Sequence, residues 1–211
     1  VPTMAVEATM ADRFSRADRD SGAAALARAD EAMQAVRREG FLPLELRGEA
    51  GLDQPIELTA GQTCSQPTTV RTMLALLDPE PGDAVLDVGS GSGWTTALLA
   101  HLVGATGVVH AVELREDLAT WGGQNVAAAG MEWAQVHQAD PEVLGWPAGA
   151  PYQRILVSAE AQEVPTPLTD QLADGGRLVL PVRGTMTVVE ARDGAARVVR
   201  TAGAYRFVPL R

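Results

Sequence analysis

Between residues 84 and 182 the chain alternates short, nearly continuous apolar runs with longer stretches in which apolar positions recur every three or four residues. The runs fall at 85–88, 108–112, 134–139, 154–158 and 177–182. All but 134–139, where apolar and polar residues mix, are apolar on both faces and rich in β-branched residues, and together they predict the strands of a parallel sheet. Helices are predicted from Thr95 onward, over 117–129 with Gly130 as the stop, and over 167–173 ahead of Gly175-Gly176. This alternation predicts an α/β fold with a doubly wound, mostly parallel sheet. Its ligand should lie beyond the carboxyl ends of the strands.

The flanking patterns differ. Residues 1–20 are polar and lack sustained periodicity, so a flexible arm is expected there. Over 22–38, Leu26, Ala29, Met33 and Val36 mark an amphipathic helix stopped by Gly40 and Pro43. Residues 41–66 read as irregular, and Pro67 then opens a helix over 68–77. Thr63 and Ser65 stand just before that helix, where a hydroxyl is either a cap or a site group. Segments 187–190 and 198–200 alternate around Asp193-Gly194, which predicts an antiparallel hairpin. The expected organisation is a single domain over 21–211: N-terminal helices and loop (21–78), core (79–182) and C-terminal strands (183–211).

Composition narrows the function. With 211 residues, 46% hydrophobic and 21% charged, the chain is long enough for a substantial core. Its net charge of −10 and lack of a basic stripe argue against nucleic acid. Every basic residue is arginine, and none is lysine. One cysteine, Cys64, and three scattered histidines give no disulfide framework and no metal-ligand spacing. No segment has the length and apolarity of a membrane span, and no apolar signal core opens the chain, so a cytoplasmic location is expected.

The candidate chemistry centres on Val85-Leu86-Asp87-Val88-Gly89-Ser90-Gly91-Ser92-Gly93-Trp94. A strand leads into three alternating glycines and then a helix start, a cradle in which backbone can pass close to a nucleotide-like ligand. Glu113 lies 20 residues beyond Gly93 at the end of the next apolar run, where a carboxylate can accept both hydroxyls of a ribose. The spacing G-x-G-x-G behind an acid favours S-adenosylmethionine over a dinucleotide. Asp87, Glu113, Asp140 and Ser158-Ala159-Glu160 all fall at or just past predicted strand ends and point to one crevice.

Further stretches then acquire meaning together: Val36-Arg37-Arg38-Glu39-Gly40-Phe41-Leu42-Pro43, Asp53-Gln54-Pro55-Ile56, Gly61-Gln62-Thr63-Cys64-Ser65-Gln66-Pro67 and Phe207-Val208-Pro209-Leu210. With the glycine motif they resemble the protein-L-isoaspartate O-methyltransferases over roughly residues 30–210. The resemblance implies a Rossmann-like methyltransferase fold, S-adenosyl-L-methionine as cofactor and a peptide or protein carboxylate as acceptor. It implies Ser65, with Thr63, in the catalytic loop and Gln62 and Cys64 beside them. It places Asp87, Gly89, Ser90, Gly91, Ser92, Gly93 and Trp94 around the methionine part, Glu113 and Leu114 at the ribose, and Asp140 and Pro141 at the adenine. Thr68, Ser158 and Glu160 fall on the acceptor side. The sequence departs from the family's usual residues at Arg37, Gly51, Thr68, Pro141, Gln153 and Glu160. Two alternatives stay open: a dedicated biosynthetic peptide or small-molecule acceptor, and a cofactor-binding relative without turnover. Glu160, at a strand end, is expected to tune acceptor choice, by repelling an acceptor carboxylate when ionised or hydrogen-bonding to it when protonated; a side chain that simply points to solvent stays open beside these.

Overall fold

The computed structural model of the chain describes residues 16–59 and 61–211. Helix α1 (Arg16–Ala35) starts inside the stretch expected to be an arm; residues 1–15 of that stretch lie outside the described residues. It also stops earlier than its pattern predicts. Arg37 is extended, and a 3-10 turn over Arg38–Phe41 follows, which buries Arg38 and Phe41. A second 3-10 turn, Leu44–Glu49, leads to a small antiparallel hairpin of β1 (Ile56–Thr59) and β2 (Gln62–Cys64). The segment read as irregular is therefore structured, through elements too short to leave a periodicity.

Helix α2 (Pro67–Leu77) has Pro67 in its first turn, as expected, but its N-cap is Gln66, which makes no side-chain cap bond. The capping task falls to Asp53, whose carboxylate accepts from the Thr68 amide (2.8 Å) and the Thr68 hydroxyl (2.7 Å). Ser65 is thus not the cap.

The main sheet contains β3 (Ala84–Val88), β4 (Val108–Glu113), β5 (Ala134–Gln138), β6 (Tyr152–Val157), β7 (Leu172–Val182), β8 (Thr185–Arg192) and β9 (Ala195–Ala202). Their spatial order is β5-β4-β3-β6-β7-β8-β9. The first five are mutually parallel and the last two antiparallel. Asp193 and Gly194 both adopt positive φ between β8 and β9, as a type I′ turn requires.

Successive residues of the inner strands enter opposite cores. Val85, Leu156 and Val179 join a cluster with Ala29 of α1, Met73 of α2 and Leu98 of α3 (Trp94–Val103). Leu86, Ile155 and Leu178 join a second cluster with Leu168 and, at its edge, Val208 and Leu210. Helix α4 (Glu116–Ala128) contributes Val126 to the first core. The second face is covered thinly, because the helix expected over 167–173 is only α5 (Thr166–Thr169). The chain joins the sheet early there. Tyr152 donates its N–H to Gln171 O (2.8 Å), and the Gln171 amide donates to Leu144 O and Pro167 O. No helix among the described residues is long and apolar enough to cross a membrane.

Candidate active site

Strand β3 is flanked by β4, reached through α3, and on its other side by β6, so the chain's direction of progress reverses beside it. A crevice opens at such a switch point, beyond the carboxyl ends of the strands. Here it is a cavity of about 1160 Å³, bounded by residues that follow the ends of β3, β4, β5 and β6, by the β1–β2 hairpin with the start of α2, and by the tail 204–211.

The glycine turn is held from two sides. Gly93 takes φ +84, and a Cβ there would meet the Gly122 carbonyl oxygen of α4 at 2.7 Å. Gly93 therefore serves close helix-to-turn packing and does not line the cavity; residues 88–92 do. Trp94 reaches the lining, but its indole is 3% exposed and donates to Val36 O (3.1 Å). Much of that ring belongs to the N-terminal layer.

Glu113 is 7% exposed and orders the turn from the neighbouring strand. Its Oε2 accepts from the Gly91 amide (2.9 Å) and its Oε1 from the Arg115 amide (3.0 Å). Each carboxylate oxygen keeps a lone pair for a further donor, as paired ribose hydroxyls require. Asp140 lines the cavity, with Oδ1 accepting from the Glu142 amide (2.9 Å). Pro141 beside it offers no N–H.

Asp87 sits one layer below the lining, fully buried, with Oδ2 accepting from the Thr96 hydroxyl (2.7 Å). Burial, and secondarily the Glu113 charge, push its carboxyl up to about 7 against the effect of the Thr96 bond. Asp87 Oδ1 and Ser90 Oγ are buried without a hydrogen-bond partner. Unpartnered buried polar atoms are costly and uncommon. One of them in the glycine-rich turn and one beneath it fit a site that takes a polar, cationic ligand. The residues present thus suit the methionine end of S-adenosylmethionine at Asp87 and the turn, and its ribose at Glu113.

On the opposite wall Gln62, Thr63, Cys64 and Ser65 all line the cavity, as do Thr68, Ser158 and Leu114. The Thr68 hydroxyl is already committed to Asp53. Of the residues picked from the sequence, Asp87, Gly93 and Glu160 are not brought to the lining. Glu160 is half-buried and outside the lining, which favours the alternative in which it takes no part in selecting the acceptor. Its backbone is occupied, donating to Val208 O (2.7 Å) and accepting from the Leu210 amide (2.8 Å), so it anchors the tail that forms the wall. Glu160→Ala is therefore expected to change acceptor methylation by less than about two-fold between pH 5 and 8. A several-fold gain in initial rate would restore the expected role in selecting the acceptor. The tail itself, with Tyr205 and Phe207 in the lining, was missed as a site element, because a motif of apolar residues and proline reads equally as a closing strand.

A sheet of this order, with an acid and a glycine turn converging at its switch point, defines a Rossmann-like methyltransferase. Comparison with known proteins narrows the class. A family model for protein-L-isoaspartate(D-aspartate) O-methyltransferase matches residues 11–211. The Aeropyrum pernix protein-L-isoaspartate O-methyltransferase is 44% identical over 198 residues, 91% of this chain and 75% of that protein. The Methanopyrus kandleri protein of the same name is 40% identical over 188 residues, 87% of this chain and 83% of that one. A solved protein-L-isoaspartate O-methyltransferase superposes with a TM-score of 0.78 at 25% identity, covering 87% of this chain and 61% of that one, so this chain spans less than two thirds of that length. A Plasmodium falciparum structure in complex with S-adenosyl-L-homocysteine shares the fold, with a TM-score of 0.75 at 21% identity over 87% of this chain and 90% of that one. The chain belongs to the protein-L-isoaspartate(D-aspartate) O-methyltransferase family.

Proposed function

We propose that the protein is an S-adenosylmethionine-dependent carboxyl O-methyltransferase acting on isoaspartyl or aspartyl residues of peptides or proteins, with 21–211 as one catalytic domain. The observation that carries the reading is a single cavity with the glycine turn and Glu113 on one side and a hydroxyl-bearing loop, Thr63 and Ser65, on the other. When bound, S-adenosylmethionine supplies an electrophilic methyl group. The chain's own residues do the rest. A carboxylate acceptor is ionised at neutral pH, so no side chain has to remove a proton from it. Positioning and exclusion of water remain. Hydroxyl groups suit the first task, since they donate to a carboxylate oxygen and are poor nucleophiles at neutral pH. The tail suits the second, laying Phe207 and Val208 along the cavity wall.

Two assays test this. Base-labile methyl label should appear on an isoaspartyl peptide and not on its aspartyl-free control. Ser65→Ala should lower that turnover roughly ten-fold, the effect of one lost hydrogen bond to a charged group, with melting temperature and S-adenosylhomocysteine affinity unchanged. Because Gln66 and Asp53 occupy the capping positions of α2, a fall in stability with normal turnover would show that Ser65 has only a local structural part.

A further inference from the structure

A buried cation on the far side of the acceptor loop has no part in the reading so far. Arg38 is 4% exposed, and among the described residues no carboxylate lies within ion-pair distance of it. Its oxygen acceptors are all backbone carbonyls, and Nε also approaches Cys64 Sγ. Nη1 donates to Leu52 O (3.0 Å), and Nη2 reaches Gln54 O, Cys64 O and Ser65 O, each at 2.9 Å. The guanidinium carbon stands 5.4 Å from the centre of the Trp94 ring, within cation–π range.

These acceptors form a pattern. Leu52 and Gln54 precede β1, whereas Cys64 and Ser65 lie at and after the end of β2, so one side chain ties the hairpin at both ends. The hairpin is a two-stranded sheet separate from the main one, a size that is marginal on its own in water. A planar fork with five donors spread over three nitrogens can meet four carbonyls set on both ends of the hairpin, whereas an ammonium group has three donors on a single nitrogen.

We propose that Arg38 is the positioning residue of the acceptor loop. By drawing the carbonyls of Cys64 and Ser65 inward, it fixes the orientation in which the Ser65 side chain meets the cavity. It also keeps a positive charge in the loop, partly balanced at longer range by the Asp53 carboxylate, against which an anionic acceptor is seated. The second point rests on the methyl-acceptor reading above; the first does not.

The test uses the full chain with Arg38→Met and Arg38→Lys. In Arg38→Met, KM for an isoaspartyl peptide should rise roughly ten-fold or more, while S-adenosylhomocysteine affinity stays within about two-fold. Arg38→Lys, which keeps the charge and loses the fork, should fall between Arg38→Met and the parent. Cys64, the one cysteine of the chain, is an internal reporter, with Sγ 3.5 Å from Arg38 Nε and 4% exposure. Its labelling by a thiol reagent should accelerate roughly ten-fold or more in folded variants. A purely structural role would lower the melting temperature and leave KM and labelling of the folded molecules unchanged, and that result overturns the proposal. Should neither variant fold, hydrogen exchange of the parent decides. Amides of β1 and β2 exchanging within about ten-fold of those of β3 support the clamp, and exchange about a thousand times faster overturns it. If the parent fails to methylate the peptide, the proposed function fails, while labelling and exchange still report on the loop.

Discussion

Replacing Glu113 with alanine is expected to weaken S-adenosylmethionine binding by about 30- to 1000-fold, equivalent to about 2–4 kcal/mol. Two losses combine. The carboxylate is the acceptor available for a ribose on this side of the cavity, and bonds to a charged acceptor are the stronger kind. It also receives the Gly91 and Arg115 amides at 2.9 and 3.0 Å, so its removal leaves two donors without an acceptor and releases the glycine turn. Glu113→Gln keeps one acceptor oxygen but turns an NH₂ group toward an N–H, so an intermediate loss of roughly ten-fold is expected. Titration calorimetry with S-adenosylhomocysteine on folded variants reads both. Unchanged affinity in Glu113→Ala would remove Glu113 from the cofactor site.

Glu113 also shows what the sequence makes legible. Its position followed from counting: an acid at the end of the second core strand, beside a glycine turn at the end of the first. The inner parallel strands were readable for a similar reason, since burial on both faces leaves continuous apolar runs, whereas edge strand β5 carries no such run. The β8–β9 hairpin was readable because Asp193-Gly194 is built for positive φ. What escaped was set by tertiary contacts. The end of α1 is decided by the burial of Arg38 and Phe41, not by a stop residue. The cap of α2 comes from Asp53, fifteen residues upstream, and no local pattern announces it. The short α5 reflects Gln171 tying together Leu144, Pro167 and Trp146. Glu160 looked like a site residue because it follows a strand end. Its backbone pairs instead with the tail, through residues almost fifty positions later in the chain, which no local pattern announces.

Asp87→Asn is expected to stabilise the protein at pH 8 relative to pH 5, with the difference between variant and parent growing by about 3 kcal/mol across that interval. The sign follows from linkage. The carboxyl is raised to about 7 in the folded chain, from an ordinary value of 3.8, chiefly by burial. Between those values the folded state holds a proton that the unfolded state has released, so stability falls as pH rises through the window and levels off above it. The full cost of ionising Asp87 in the folded chain, from 3.8 to about 7, is about 4 kcal/mol above pH 7. Asparagine carries no such cost, apart from roughly 1–3 kcal/mol, independent of pH, for any amide atom left unpaired where Oδ1 now stands. Urea unfolding of both proteins at several pH values measures the difference, and a flat difference would mean that Asp87 is not held in a desolvated, raised state. A carboxylate kept so far from its preferred ionisation suggests a functional trade. A ligand carrying positive charge favours the ionised form, so binding S-adenosylmethionine should draw the carboxyl back below 7 and release protons at pH 6, visible as a buffer-dependent enthalpy. In Asp87→Asn that proton release should vanish and the affinity fall, although the protein itself is the more stable of the two above pH 7.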